Sequence, residues 1–194
     1  MKDIIFSILN SYLLLFPEEK VRQSEFLKYL ENHNELEITD WNNFDGHIVA
    51  SGFIYAKKDE KFLVMYHNDL KMFLYPGGHI DKKDINPLAA AKREVFEETG
   101  LTNFEQLKIA DDSLIPIDID THKVAFNDRL KLPEHVHFDF RYLFMIDSIC
   151  DIKIDKEETS NYEWIDMEQL NNDTNYGVIT AKIFEILGNI ELEK

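Results

Sequence analysis

Three glutamates stand within five residues, Glu94, Glu97 and Glu98, directly after Arg93. On a helix turning about 100° per residue they fall within an arc of roughly 100°. Carboxylates at such spacings repel one another by a few tenths of a kcal/mol per pair, so packing alone does not select them. A hard divalent cation with oxygen ligands satisfies such a cluster and commonly shares its shell with substrate phosphates, which makes Mg²⁺ the first choice and Mn²⁺ the alternative. Arg93, one turn from Glu97, is placed to hold that carboxylate. The plainer reading of a lone E-x-x-E-E is a solvated acidic helix face. Upstream, Gly77 and Gly78 permit close approaches closed to other residues, so that loop amides can meet a phosphate oxygen. His79 follows them and either touches phosphate or braces the loop.

The element that carries the acids is legible. Asn86 is an N-cap, Pro87 suits the first helical position and Gly100 stops the chain, predicting a helix over 87–99. Leu88, Ala91 and Val95 form an apolar stripe beside the acids. Elsewhere, helical spacing predicts a helix over 3–16 and a second over 17–34. Strands are expected over 46–56, 62–67, 72–75, 104–110, 115–124 and 135–146, a short helix after Trp164-Ile165-Asp166, and a closing amphipathic helix over 178–187. Strands mixed with helices, and a central helix between them, give a compact α/β arrangement.

Residues 76–101, PGGHIDKKDINPLAAAKREVFEETGL, resemble the signature of the Nudix (MutT-like) pyrophosphohydrolases, G-x(5)-E-x(7)-R-E-U-x-E-E-x-G-U with U apolar. Gly78 matches the opening glycine, and Arg93, Glu94, Val95, Glu97, Glu98, Gly100 and Leu101 match the rest. Asp84 replaces the early glutamate, and eight residues rather than seven separate it from Arg93. In the family that acid mainly braces the loop while the later acids bind metal, so the departure bears on loop geometry more than on chemistry. The resemblance covers about residues 46–187, with W-I-D-M-E-Q-L similar to the family's closing segment. It implies the Nudix fold, a mixed β-sheet sandwiched between α-helices. The division expected is an N-terminal helical extension over 1–40 and a Nudix domain over 41–194.

A second constellation lies on two later strands. Val136, Phe138, Phe140, Tyr142 and Phe144 alternate with His135, His137, Asp139 and Arg141, and Ile115, Ile117 and Ile119 alternate with Asp118, Asp120 and His122. The plain expectation is a core face and a solvent face. Yet D-x-D-x-H and H-x-H-x-D-x-R, with PGGH and the early Gly46-His47 and Ser51, resemble a pattern in one Nudix subgroup. That constellation is read as binding substrate or metal, and with the glycine turn it makes Gly77, Gly78, His79, His135, His137, Asp139 and Arg141 the candidates for substrate binding. His47 and His67 are read as satisfied structural histidines, and Glu157 and Glu158 lie in a loop from which some family members supply a catalytic acid.

The chain has 194 residues, 44% of them apolar, and a formal charge of −16. That charge disfavours nucleic-acid polymers and anionic membranes as partners, whereas a bound cation inverts the field locally for a small nucleotide substrate. A single cysteine, Cys150, excludes an internal disulfide and a cysteine-rich zinc cluster and fits a reducing, cytoplasmic setting. The apolar run at 4–16 contains Asn10, lacks a small-residue cleavage site and is too short to span a bilayer. A homodimer is an open alternative to a monomer. The function implied by the resemblance is metal-dependent hydrolysis of a nucleoside diphosphate linked to another moiety. Glu94, Glu97 and Glu98 would hold the metal, Arg93 would orient them, and Glu94 or Glu98 would serve as base. The competing function is a module that binds such a ligand without turnover.

Overall fold

In the computed structural model, which describes residues 1–128, 131–172 and 176–192, the acid-bearing helix spans the residues its end signals predict. It is the third of five α-helices among the described residues: α1 (Lys2–Leu15), α2 (Ser24–Asn32), α3 (Pro87–Thr99), α4 (Met167–Asn172) and α5 (Gly177–Leu192). The Asn86 side chain accepts a hydrogen bond from the Ala89 amide at 2.8 Å, a cap worth about 1 kcal/mol. Gly100, at φ +71°, takes the left-handed turn that ends the helix. The predicted second helix divides into a 3₁₀ turn, Pro17–Lys20, and α2.

The strands are β1 (His47–Ala56), β2 (Lys61–His67), β3 (Met72–Leu74), β4 (Gly77–His79), β5 (Glu105–Gln106), β6 (Asp118–Val124), β7 (His135–Ile146) and β8 (Thr159–Ile165). They form one mixed sheet in the order β3-β2-β1-β7-β5, with β4 on β1, β6 on β7 and β8 on β2. The long parallel pair β1 and β7 is its centre, ten residues in register from His47 opposite His137 to Ala56 opposite Ile146. Three expectations change. The strand predicted over 104–110 is cut to two residues, and a turn capped by the Asp112 side chain and carbonyl on the amides of Leu114 and Ile115 follows before β6. Residues 77–79, read as a glycine turn, form a short strand on β1. Thr159–Ile165, unassigned from sequence, is an edge strand paired to β2.

Helices cover both faces of the sheet. On one face Ile5, Ile8, Leu9 and Tyr12 of α1, Phe26 of α2 and Val95 of α3 pack with Phe138, Phe140 and Phe144. Phe26 stacks on Phe138 with ring centroids 4.5 Å apart. On the other face Ile179 and Ile183 of α5 and Leu170 of α4 pack with Phe53, Val64 and Leu143. This is the expected helix–sheet–helix sandwich. No helix among the described residues is long and apolar enough to cross a membrane.

The predicted solvent face of β6 and β7 does not face solvent. Asp118, Asp139 and Arg141 are buried in a continuous polar network. Arg141 pairs with Asp139 at 2.9 Å, Asp120 at 2.8 Å and Asp118 at 3.4 Å. Arg22 and Lys182 close on the other side of Asp118 at 2.5 and 2.8 Å, and Lys182 also pairs with Glu19. Ser51 and Tyr75 donate to the two oxygens of Asp139. Burial works to raise Asp118, but Lys182, Arg141 and Arg22 outweigh it and hold the carboxyl below its ordinary range.

Candidate active site

The acids of α3 sit where the helix leaves the β4 edge, and two glycines set how closely they approach. A Cβ on Gly78 would lie 2.5 Å from the Glu94 carboxylate, and one on Gly77 would lie 2.4 Å from the Ser51 Cβ. Neither glycine has a positive φ, so their need is for space and not for turn geometry. The Gly77 amide, expected to meet a phosphate, donates instead to Glu98 Oε1 at 3.0 Å. Pairing of β4 to β1 turns that amide toward α3, where it fixes the carboxylate.

Arg93 does more than hold Glu97. Its guanidinium donates to Asp84 at 2.9 Å, Glu94 at 2.8 Å, Glu97 at 2.8 Å and the His79 carbonyl at 2.8 Å. Asp84 also accepts from the Asp81 amide at 2.8 Å. The departure at Asp84 therefore preserves a carboxylate that ties the loop to the helix, despite the extra residue. Glu97 is half exposed, Glu94 is largely enclosed, and Glu98 lies deeper. Burial pushes Glu98 up to about 8; the Gly77 amide opposes this, while the charges of Glu94, Glu158 and Glu97 add to it. Burial also raises Glu94, against the pull of Arg93.

These residues border a cavity of about 1000 Å³ lined by Trp41, Gly77, Gly78, His79, Arg93, Glu94, Asn127, His135, His137 and Glu158, among others. Glu98 opens into a smaller recess of about 60 Å³ that shares Gly77, His67 and Glu158 with the main cavity. Of the residues nominated from sequence, the fold thus brings Gly77, Gly78, His79, Arg93, Glu94, His135 and His137 to one cavity, with Glu98 beside it. Glu97 is not in the lining. Asp139 and Arg141, nominated for substrate binding, are absent from it as well, because they are consumed by the buried network beneath.

Glu158, read as a loop acid, is in the wall of both spaces, in the turn before β8. His67 is satisfied as expected, its Nδ1 accepting from the amides of Asp69 and Leu70. His47 is not: its Nδ1 lies 3.2 Å from the Asn43 carbonyl, while its Nε2 is buried without a hydrogen-bond partner among the described residues. Burial lowers His47 to about 4 and holds His137 still lower, with neighbouring histidines adding to both shifts. His47 and His137 are therefore neutral at pH 7.

The donors on α3 suit a hard cation. They are carboxylate oxygens, and each of Glu94 and Glu98 keeps one of its two oxygens outside the hydrogen bonds just described. The negative field around Glu98 also rises with every neighbouring acid.

The NUDIX domain pattern matches residues 45–185. A protein of Lactococcus lactis subsp. cremoris (strain MG1363), named a probable DHNTP pyrophosphohydrolase, is 32% identical over 130 residues, 67% of this chain and 72% of that protein. An RNA pyrophosphohydrolase of Pelagibacter ubique (strain HTCC1062) is 31% identical over 123 residues, 61% of this chain and 76% of its own. Among solved structures, a C. elegans Ap4A hydrolase binary complex superposes with a TM-score of 0.57 at 17% identity, covering 73% of this chain and 98% of that one, a likeness of fold. Since the match runs from the residues before β1 into α5 and encloses the whole acid-bearing helix, the chain belongs to the NUDIX domain family.

Proposed function

We propose that the protein is a hydrolase that cleaves the diphosphate linkage of a small nucleotide, a nucleoside diphosphate joined to another moiety, by attack of water on phosphorus. The observation that carries this reading is the set of carboxylates on α3, clamped by Arg93 and the Gly77 amide against a cavity large enough for such a ligand. Two of the relatives bear the name pyrophosphohydrolase. The net charge of −16 favours a small substrate over a polymer, and the lone cysteine suits a cytoplasmic enzyme.

Glu94, Glu97 and Glu98 would hold Mg²⁺ or Mn²⁺, which when bound neutralises phosphate charge and lowers the pKa of a coordinated water. The chain's own groups do the rest. Arg93 fixes Glu94 and Glu97 in direction and ties both to the loop through Asp84. The Gly77 amide holds one oxygen of Glu98 and leaves the other free to orient or deprotonate the attacking water. Glu158, in the wall of both spaces, is the alternative base. His79, His135 and His137 bring imidazole nitrogens to the same cavity and can hydrogen-bond the ligand there.

The test is product release from a panel of nucleotide diphosphate compounds with Mg²⁺ or Mn²⁺, comparing the parent with Glu98→Gln. Metal-dependent cleavage that the variant loses is the expected result. Near-normal turnover in Glu98→Gln would remove that residue from the reaction. Tight binding of one compound with no cleavage across the panel would instead select the module without turnover.

A further inference from the structure

Five imidazoles share one face of four adjacent strands. The register sets His47 on β1 opposite His137 on β7, and His137 opposite His122 on β6. His79 on β4 lies opposite Val49, one same-face step from His47. His135 is one such step from His137. Ring centroids are 4.7 Å apart for His47 and His137, 4.9 Å for His47 and His79, and 5.0 Å for His47 and His135. Ligand nitrogens of His47, His79 and His137 all lie within 4.8 Å of one another. Tetrahedral zinc with Zn–N bonds of about 2.0–2.1 Å needs its nitrogens about 3.3 Å apart, so small side-chain rotations bring these three onto one ion.

The tautomer of the innermost ring is set for this. His47 Nδ1–H donates to the Asn43 carbonyl at 3.2 Å, which leaves a lone pair on Nε2. That nitrogen belongs to a fully buried ring and has no hydrogen-bond partner among the described residues. Leaving such an atom unpaired is unfavourable, and a bound cation removes that cost. A backbone carbonyl behind the far nitrogen is the outer support that metal-bound histidines show. His135 is anchored the same way on the Pro133 carbonyl at 2.8 Å, so its Nε2 accepts from His137 Nε2–H at 3.1 Å, and the lone pair of His137 is left on Nδ1.

We propose that His47, His79 and His137 form a second cation site, for a zinc-class divalent transition metal, in the floor of the cavity bordered by the α3 acids. Three imidazoles and no carboxylate select such an ion over Mg²⁺ or Ca²⁺, the reverse of the preference on α3. His79 and His137 line the cavity and His47 does not. The fourth position of the ion therefore faces the cavity, the arrangement of three protein ligands and one exchangeable position. His79 directly follows Gly78, which packs on Glu94, so the hard and the softer site are neighbours along one wall. A role for the ion in holding an anionic oxygen of the substrate rests on the hydrolase reading; binding of the ion does not.

The probe is Co²⁺ alone, titrated into the full chain free of any polyhistidine tag and followed by visible ligand-field absorption and metal content. The expected result is one equivalent with the intense bands of four-coordinate cobalt, retained in Glu98→Gln. His79→Asn and His137→Asn should each weaken it by no less than the roughly 10–100-fold that loss of an outer partner costs. His79 is exposed, so its variant tests the site without disturbing the core, and thermal unfolding confirms that each variant is folded. Equal cobalt affinity in His79→Asn and the parent overturns the proposal. So does six-coordinate cobalt that disappears in Glu98→Gln and persists in His79→Asn, because the ion then belongs to α3. Mg²⁺-supported cleavage, measured separately, tests the hydrolase reading.

Discussion

Replacing Glu98 by glutamine should make the metal-free protein more stable while abolishing its turnover. Burial pushes this carboxyl from 4.5 up to about 8, and the neighbouring acids add to the shift. Between those two values the folded protein keeps a proton that the unfolded chain has released, so its stability falls as pH rises through that window. At pH 7 the group lies 2.5 pH units above its ordinary 4.5. At about 1.4 kcal/mol per unit the folded state forfeits roughly 3 kcal/mol. Glutamine has no proton to lose and can still accept from the Gly77 amide through its carbonyl oxygen. A chain of this size changes Tm by about 2–4 °C per kcal/mol, so Glu98→Gln should melt about 6–12 °C higher than the parent near neutral pH. The assay is thermal unfolding of both proteins in chelator at about pH 5 and about pH 7.5. The gap should be small at the lower pH and open at the higher, and Mg²⁺ should then stabilise the parent more than the variant. A gap of the same size at both pH values, or a variant less stable than the parent at the higher one, refutes the reasoning.

Other expectations follow from the same contacts. Gly78→Ala pushes on the movable end of Glu94, so it should lower kcat with little change in Tm, whereas Gly77→Ala meets the Ser51 backbone at 2.9 Å and should cost about 1–3 kcal/mol in denaturant unfolding. Arg93→Met leaves the enclosed Asp84 and Glu94 carboxylates without their cation, and a loss of about 3 kcal/mol in urea titration is expected. Asp118→Ala strands Arg22, Arg141 and Lys182 around a buried void and should cost about 3–5 kcal/mol, whereas Asp120, partly exposed, should cost less when replaced by Ala in the same experiment.

What sequence could show depended on whether the deciding contacts were local. Helix α3 was fully legible because Asn86, Pro87 and Gly100 fix its ends within their own neighbourhood. The approach of Arg93 to Glu97 is a one-turn relation and was equally visible. Its grip on Asp84 was not, since the loop between them sets that distance. The alternation on β7 correctly marked two faces, but it carried no information about what covers the second. Arg22 and Lys182 arrive there from positions 96 and 64 residues away from Asp118. Asp139 and Arg141 consequently looked like cavity residues, whereas their side chains are engaged in the buried network. His47 was misread for a related reason: its neighbours come from β4 and β7, and only the sheet register shows that its second nitrogen meets imidazoles instead of a donor. The glycines were noticed, yet their purpose, room for Glu94 and Ser51, is a property of packing.

The buried charge network also bears on the order in which the molecule assembles. Lys182 joins Tyr12 across 170 positions of chain, and Asp118 awaits partners from both sides of itself. A nascent chain can form β1, α3 and β7 before α5 has been made, but the cluster on Asp118 stays short of one cation until Lys182 arrives. Closing so long a loop is slow and entropically unfavourable, which places this step late on the folding route. Lys182→Met should therefore speed unfolding and leave the refolding rate nearly unchanged in a stopped-flow chevron, the mark of a contact formed after the barrier. The network then works as a latch, joining the first and last helices once the sheet between them is complete.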